Sequence, residues 1–302
     1  MPLIPFGEML DAALKGGYAV GYFEAWNEDS LEAILAAGEE TGSSTIIGFG
    51  GMTVNQEWFN DWGLESFAAI GRVAVAKSKV PVCFILNEVR TYEHCLRGIE
   101  LGFNVVMLDS TKLSFQENVA ITRKLVEAAH ASSVAVEAEL GHLPEAGKDD
   151  VGVPTDPDEA RAFVKATHVD ALAVSIGNVH CAPGVEPQID LSRLKAIREQ
   201  AGVPLVIHGG SGFPPALVKE CIKHGVAKFN VGTILKREYY EGIRSRVRDE
   251  IDSTQVQAIV GSRDRSDFTV EAKRRVRGKV AELLGLYGSV GRSQGGRLTM
   301  NG

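Results

Sequence analysis

His180 and His208 each follow a short apolar run, in a chain whose other apolar runs end on carboxylates and amides. Imidazole and carboxylate donors together suit zinc or a neighbouring first-row cation, so bringing these run ends to one face would build a divalent metal centre. The polar residues at or just past the runs are Glu24, Asn87 and Glu88, Asp109 and Ser110, Glu137 and Glu139, His180, His208, and Asn230 with Thr233. His208 also opens a glycine-rich turn, His-Gly-Gly-Ser-Gly, whose backbone N–H groups can surround a phosphate. A second turn, Asn230-Val-Gly-Thr233, adds more donors. The plainer account of the first turn is an ordinary strand-to-helix loop. His94, His130, His142, His168 and His224 read as hydrogen-bonded structural residues. Gly48-Phe-Gly50-Gly51 lacks the full spacing of a dinucleotide fingerprint. Glu145, Asp149 and Asp150, between Pro144 and Val151, read either as a solvated turn or as a mobile loop that brings an acid over a substrate.

The elements that must position these groups follow from periodicity. Apolar runs at 19–23, 44–47, 82–86, 105–108, 134–139, 171–175, 204–208 and 228–231 are continuous rather than alternating, as in strands of a parallel sheet buried on both faces. Between them, 31–41, 91–102, 118–131, 157–166, 191–200 and 215–224 carry helical periodicity. Ser114 with Glu117 forms a capping box, and Asp156 before Pro157 is an N-cap with proline at the first helical position. Gly102, Gly202 and Gly225 fall where helices must end. About eight β/α units predict a (β/α)₈ TIM barrel of the α/β class, in which reactive groups gather at the C-terminal ends of the strands and phosphate is commonly held after strands seven and eight. Helical segments at 236–252 and 271–286 form a C-terminal extension, so that 1–287 is one domain and 288–302 a glycine-rich, mobile tail.

Composition narrows the function. The net charge of -7 is spread along the chain without blocks, which argues against nucleic acid or a membrane surface as partner and for a small molecule. Cys83, Cys95, Cys181 and Cys221 stand far apart, without a C-x-x-C pair, as reduced thiols would. The N-terminus lacks the pattern of a signal peptide and no apolar run reaches membrane-spanning length, so a cytoplasmic location is expected.

Gly102-Phe-Asn-Val-Val-Met-Leu-Asp-Ser110, Val136-Glu-Ala-Glu-Leu-Gly141, His180, His208-Gly-Gly-Ser-Gly212 and Lys228-Phe-Asn-Val-Gly-Thr233 occur in an order that resembles the class II, metal-dependent fructose- and tagatose-bisphosphate aldolases. Ala19-Val-Gly-Tyr-Phe23 and Tyr287-Gly-Ser-Val-Gly291 extend the resemblance over nearly the whole chain. It implies that His180 and His208 are metal ligands, that Asp109 and Glu139 lie near a second, exchangeable cation position, and that Gly209, Gly210, Ser211, Asn230, Gly232 and Thr233 hold a phosphate. It also implies a homodimer or homotetramer. The chain departs from the family at Asn87-Glu88, where the pattern reads Asp-His. An amide cannot act as a general base, and Glu88 would take the place of a histidine ligand, giving a His₂Glu site. Glu24 stands for the usual asparagine and Gly50 for the usual serine.

The resemblance implies a lyase that cleaves or forms a C–C bond in a ketose phosphate, or a related hydroxy-ketone, through an enediolate. Zn²⁺ is the expected ion, with Mn²⁺ or Mg²⁺ as alternatives. Orientation and proton transfer fall to Asn87, Glu24, Glu145 and Asp149. An isomerase or epimerase using the same enediolate, and a non-catalytic sugar-phosphate binding protein, are the competing readings.

Overall fold

A computed structural model describes residues 3–144, 151–180, 187–247 and 256–293. Its centre is a closed parallel barrel in sequence order: β1 (Val20–Ala25), β2 (Thr45–Gly50), β3 (Val82–Val89), β4 (Val105–Leu108), β5 (Ala135–Leu140), β6 (Ala171–Val174), β7 (Leu205–Ile207) and β8 (Val226–Val231). The TIM barrel expected from the apolar runs is therefore present. Around it lie α2 (Glu28–Thr41), α4 (Leu64–Lys77), α5 (Tyr92–Leu101), α6 (Phe115–His130), α7 (Pro157–Thr167), α8 (Leu191–Ala201), α9 (Pro215–Lys223) and α10 (Thr233–Val247). The capping signals act as read. Ser114 and Glu117 bond each other's backbone N–H groups, Asp156 accepts from Asp158 and Glu159, and Gly102, Gly202 and Gly225 all have positive φ.

Two apolar layers result. One lies between strands and helices. The other fills the barrel, where Val20, Tyr22, Ile46, Ile85 and Val206 meet Phe6, Met9 and Leu10 of α1 (Phe6–Gly16). Thus α1 plugs the N-terminal end, each of its large buried side chains contributing about 1.5–3 kcal/mol. Its stripe at 6, 9, 10 and 13 is helical, yet the sequence reading passed over it, as it did the stretch from α3 (Gln56–Trp58) to α4. In that stretch a π-helical turn, Phe59–Gly63, inserts an extra residue and disturbs the 3.6-residue period.

At the C-terminus, α11 (Val256–Ile259) precedes α12 (Phe268–Leu286). Helix α12 approaches α10 so closely that a Cβ on Gly242 would come within 2.4 Å of Ala272 Cα. Beyond it, Ser289 is buried, its carbonyl accepts from Ser43 Oγ at 3.0 Å, and the Gly291 N–H donates to Thr41 at 2.9 Å. These bonds tie residues 288–293 to the end of α2. Among the described residues no helix is long and apolar enough to cross a membrane.

Candidate metal centre

Strand β3 ends irregularly. Its register with β4 shifts between Leu86 and Val89, and within that shift Glu88 adopts φ 48°, a left-handed conformation that costs a non-glycine residue about 1–2 kcal/mol. The bulge aims the Glu88 carboxylate into the mouth of the barrel, where Oε1 lies 3.3 Å from His208 Nδ1 and 4.0 Å from His180 Nε2. One ligand atom from each of Glu88, His180 and His208 lies within 4.8 Å of the others, an arrangement able to hold a metal ion. The donor chemistry fits a divalent cation, since one carboxylate and two imidazoles form a known catalytic zinc set.

Behind His208 runs a buried chain of charge. His208 Nε2 lies 3.1 Å from Glu137 Oε1, and Lys228 Nζ donates to both Glu137 oxygens (2.9 and 2.6 Å) and to Asn230 Oδ1 (2.6 Å). Glu137 and Lys228 are fully buried. Burial opposes a charge on His208, but Glu88 and Glu137 on either side outweigh it and raise its pKa to about 10. Burial likewise opposes ionisation of Glu88, yet His208, with smaller contributions from His180 and Lys228, lowers its pKa to about 2. The pair is thus carboxylate and imidazolium when no ion is present.

Asn87 donates from Nδ2 to Glu88 Oε2 at 2.6 Å, while its buried Oδ1 has no hydrogen-bond partner among the described residues. Glu139, also buried, accepts the Ser110 N–H at 3.0 Å. Burial, reinforced by the neighbouring Glu88, pushes its pKa to about 8. Asp109 accepts from the Thr111 hydroxyl at 2.6 Å. Glu139 feels the charges of Glu88, His208 and Asp109, but neither acid belongs to the three-residue group.

The two glycine-rich turns lie side by side. Gly209 has φ 74°, and a Cβ there would come within 2.3 Å of the Val179 carbonyl oxygen; a Cβ on Gly210 would meet the Asn230 carbonyl at 2.7 Å. The Ile234 N–H donates to Ser211 Oγ at 3.2 Å and joins the turns. Asn230 Nδ2 is buried and has no partner among the described residues. Thr233 begins α10. On the same side, Glu24 at the end of β1 accepts from Lys236 Nζ at 2.6 Å. Glu145 and Asp149 lie outside the described residues.

Sequence reasoning did not single out Lys228 or Lys236. The signal for Lys228 was available: side chains alternate along a strand, so Lys228 shares the inward face of Asn230, just as Glu137 shares that of Glu139. Lys236 sits on a helix, and nothing in its spacing points to Glu24. Three of the remaining histidines are explained locally. His94 bonds Asn60, His130 pairs with Asp170, and His168 ends α7 in the left-handed conformation.

The sequence model of the class II fructose-bisphosphate aldolase family matches residues 5–292, and the chain belongs to that family. It is 35% identical over 279 residues to the fructose-bisphosphate aldolase of Geobacillus stearothermophilus, covering 91% of this chain and 96% of the relative. It is 33% identical over 287 residues to the sulfofructosephosphate aldolase of Alkalicoccus urumqiensis, covering 93% and 95%. Among solved structures, the YdjI aldolase of Escherichia coli K12 superposes with a TM-score of 0.79 at 29% identity, over 97% of this chain and 100% of that one. Family, barrel and site agree on a metal-dependent lyase that acts on C–C bonds.

Proposed function

We propose that the chain opens and closes a C–C bond in a ketose phosphate, using a divalent ion held by Glu88, His180 and His208. The observation that carries this reading is that Glu88, at the position the family gives to histidine, still directs an oxygen to within 3.3 Å of His208. Zn²⁺ suits the His₂Glu set best, and Mn²⁺ or Mg²⁺ are alternatives that a carboxylate makes more acceptable. Such an ion supplies Lewis-acid chemistry: it polarises a ketone carbonyl and lowers the energy of the charge left when the adjacent bond opens.

The chain's own residues do the rest. His208 presents Nδ1 to the ion position, because Nε2 is already engaged by Glu137, and Lys228 fixes Glu137 in turn. This is the carboxylate–histidine–metal arrangement that holds a ring in one orientation. Asn87 fixes Glu88 through its amide nitrogen and offers its unpaired oxygen to a substrate hydroxyl. Having no titratable group, it leaves proton transfer to Glu24 or to an acid of the 145–150 segment, Glu145 or Asp149. Asp109 and Glu139 border a second, exchangeable cation position. Gly209, Gly210, Ser211, Asn230, Gly232 and Thr233 surround the phosphate with N–H, amide and hydroxyl donors. The enzyme works as a cytoplasmic homodimer or homotetramer, a state carried over from the family resemblance.

The test is product analysis with metal-loaded protein on fructose 1,6-bisphosphate and shorter ketose phosphates. We expect two shorter carbonyl fragments, abolished by a chelator and restored by the ion. A product with the substrate's carbon count, or turnover indifferent to chelation, would contradict the reading.

A further inference from the structure

The two oxygens of Glu24 have different surroundings. Oε1 accepts from Lys236 Nζ at 2.6 Å and from Thr53 Oγ1 at a longer 3.4 Å. Oε2 lies over the Asn230–Thr233 turn, so close that a Cβ on Gly232 would be 2.3 Å away. On the other side, a Cβ on Gly50 would stand 3.1 Å from Oε1. Glycine at both positions makes room for a carboxylate wedged between the ends of β2 and β8. Its side chain is 17% exposed, whereas that of Lys236 is 40% exposed.

This places a negative charge against a turn otherwise rich in donors. Lys236 lies in the first turn of α10, where its own N–H donates to the Gly232 carbonyl at 3.2 Å. The buried Asn230 Nδ2 lacks an acceptor among the described residues. Lys228 is fully buried and already bonded to Glu137 and Asn230, so it is not free to serve an entering anion. Lys236 is reachable from solvent. A partly exposed lysine–carboxylate pair is worth little, so a phosphate, with more charge and more acceptor oxygens than a carboxylate, can displace it.

We propose that Lys236 receives the substrate's phosphate and that Glu24 is its resident competitor, so that phosphate binding takes over the lysine and leaves Glu24 an unpaired carboxylate at the mouth. This rests on the aldolase reading only for the identity of the two turns as the phosphate end. It makes Lys236 and Glu24 a matched pair: the acid holds the lysine beside the turn and sets how tightly phosphate must bind to claim it.

The experiment is calorimetric titration of the full-length protein with inorganic phosphate, comparing wild type, Lys236→Met and Glu24→Gln. Lys236→Met should weaken binding by about ten-fold or more, as loss of a charge-assisted contact does. Glu24→Gln keeps the shape, removes the competing charge, and should tighten binding about three- to ten-fold. Unchanged affinity in Lys236→Met, weaker binding in Glu24→Gln, or no binding by the wild type would each overturn the proposal. A merely structural pair would weaken both variants. Because the titration involves no turnover, its failure leaves C–C cleavage standing, and failure of the cleavage assay leaves the titration interpretable.

Discussion

Two carboxylate–lysine contacts of the barrel have nearly the same length, Glu137 with Lys228 inside it and Glu24 with Lys236 at its mouth, each 2.6 Å at its shortest. The first is wholly buried, shares its carboxylate with His208 and anchors Asn230. The second is partly open to solvent, through Lys236 more than through Glu24. Equal distances therefore carry unequal consequences. The inner contact cannot change without stranding a charge in the barrel, which suits it to fix His208, the proposed ligand. The outer one can exchange its partner for a ligand at little cost, which suits it to meet a substrate.

The largest effect should come from the inner region. His208→Ala removes a proposed ligand and the group that balances Glu88 and Glu137, and should abolish both bound metal and cleavage activity, read from metal analysis and turnover of the same preparation. Retained turnover would dissolve the distinction between the regions. Next, Lys228→Met leaves Glu137 buried beside His208 alone and should cost about 3–5 kcal/mol in urea unfolding. A loss below about 1 kcal/mol would mean that the inner pair behaves like a surface pair.

A subtler prediction concerns Glu139. Its folded pKa of about 8 lies above the ordinary carboxylate value, so the folded chain keeps a proton that the unfolded chain releases. Stability from this group is complete below about pH 4 and is lost as pH rises through about 8. Metal-free protein should therefore weaken between pH 5 and 8, and Glu139→Gln should flatten that slope in urea midpoints. Identical slopes would show that Glu139 does not titrate as its burial implies. The smallest effect belongs to the outer region: Lys236→Met should change unfolding free energy by no more than about 1 kcal/mol. A larger loss would make the outer pair structural.

How much of this was legible in the sequence follows from what each feature depends on. Continuous apolar runs and their caps announce the barrel, because burial on both strand faces and helix termination are local demands. His208 was legible since it closes such a run, and His180 since it follows one. That Glu88 joins them was expected from the family resemblance alone, because the bulge and left-handed φ that bring it to His208 are nothing that glutamate advertises. The Glu24–Lys236 contact joins residues 212 positions apart through the closure of β1 onto β8, which no local pattern encodes. Helix α1 was missed although its stripe is regular, while the π-helical turn before α4 breaks the very period by which helices are recognised.

The central claim is that Glu88 works as the third metal ligand. Its most direct test is the metal content of wild type and Glu88→Ala, purified without chelator and again after reloading with zinc, manganese or magnesium. The account predicts about one divalent ion per wild-type chain, at most a weakly held fraction in Glu88→Ala, and uptake by the wild type that strengthens with pH as the ion displaces the His208 proton. Full occupancy in Glu88→Ala, or an empty wild-type site under every loading condition, would contradict it.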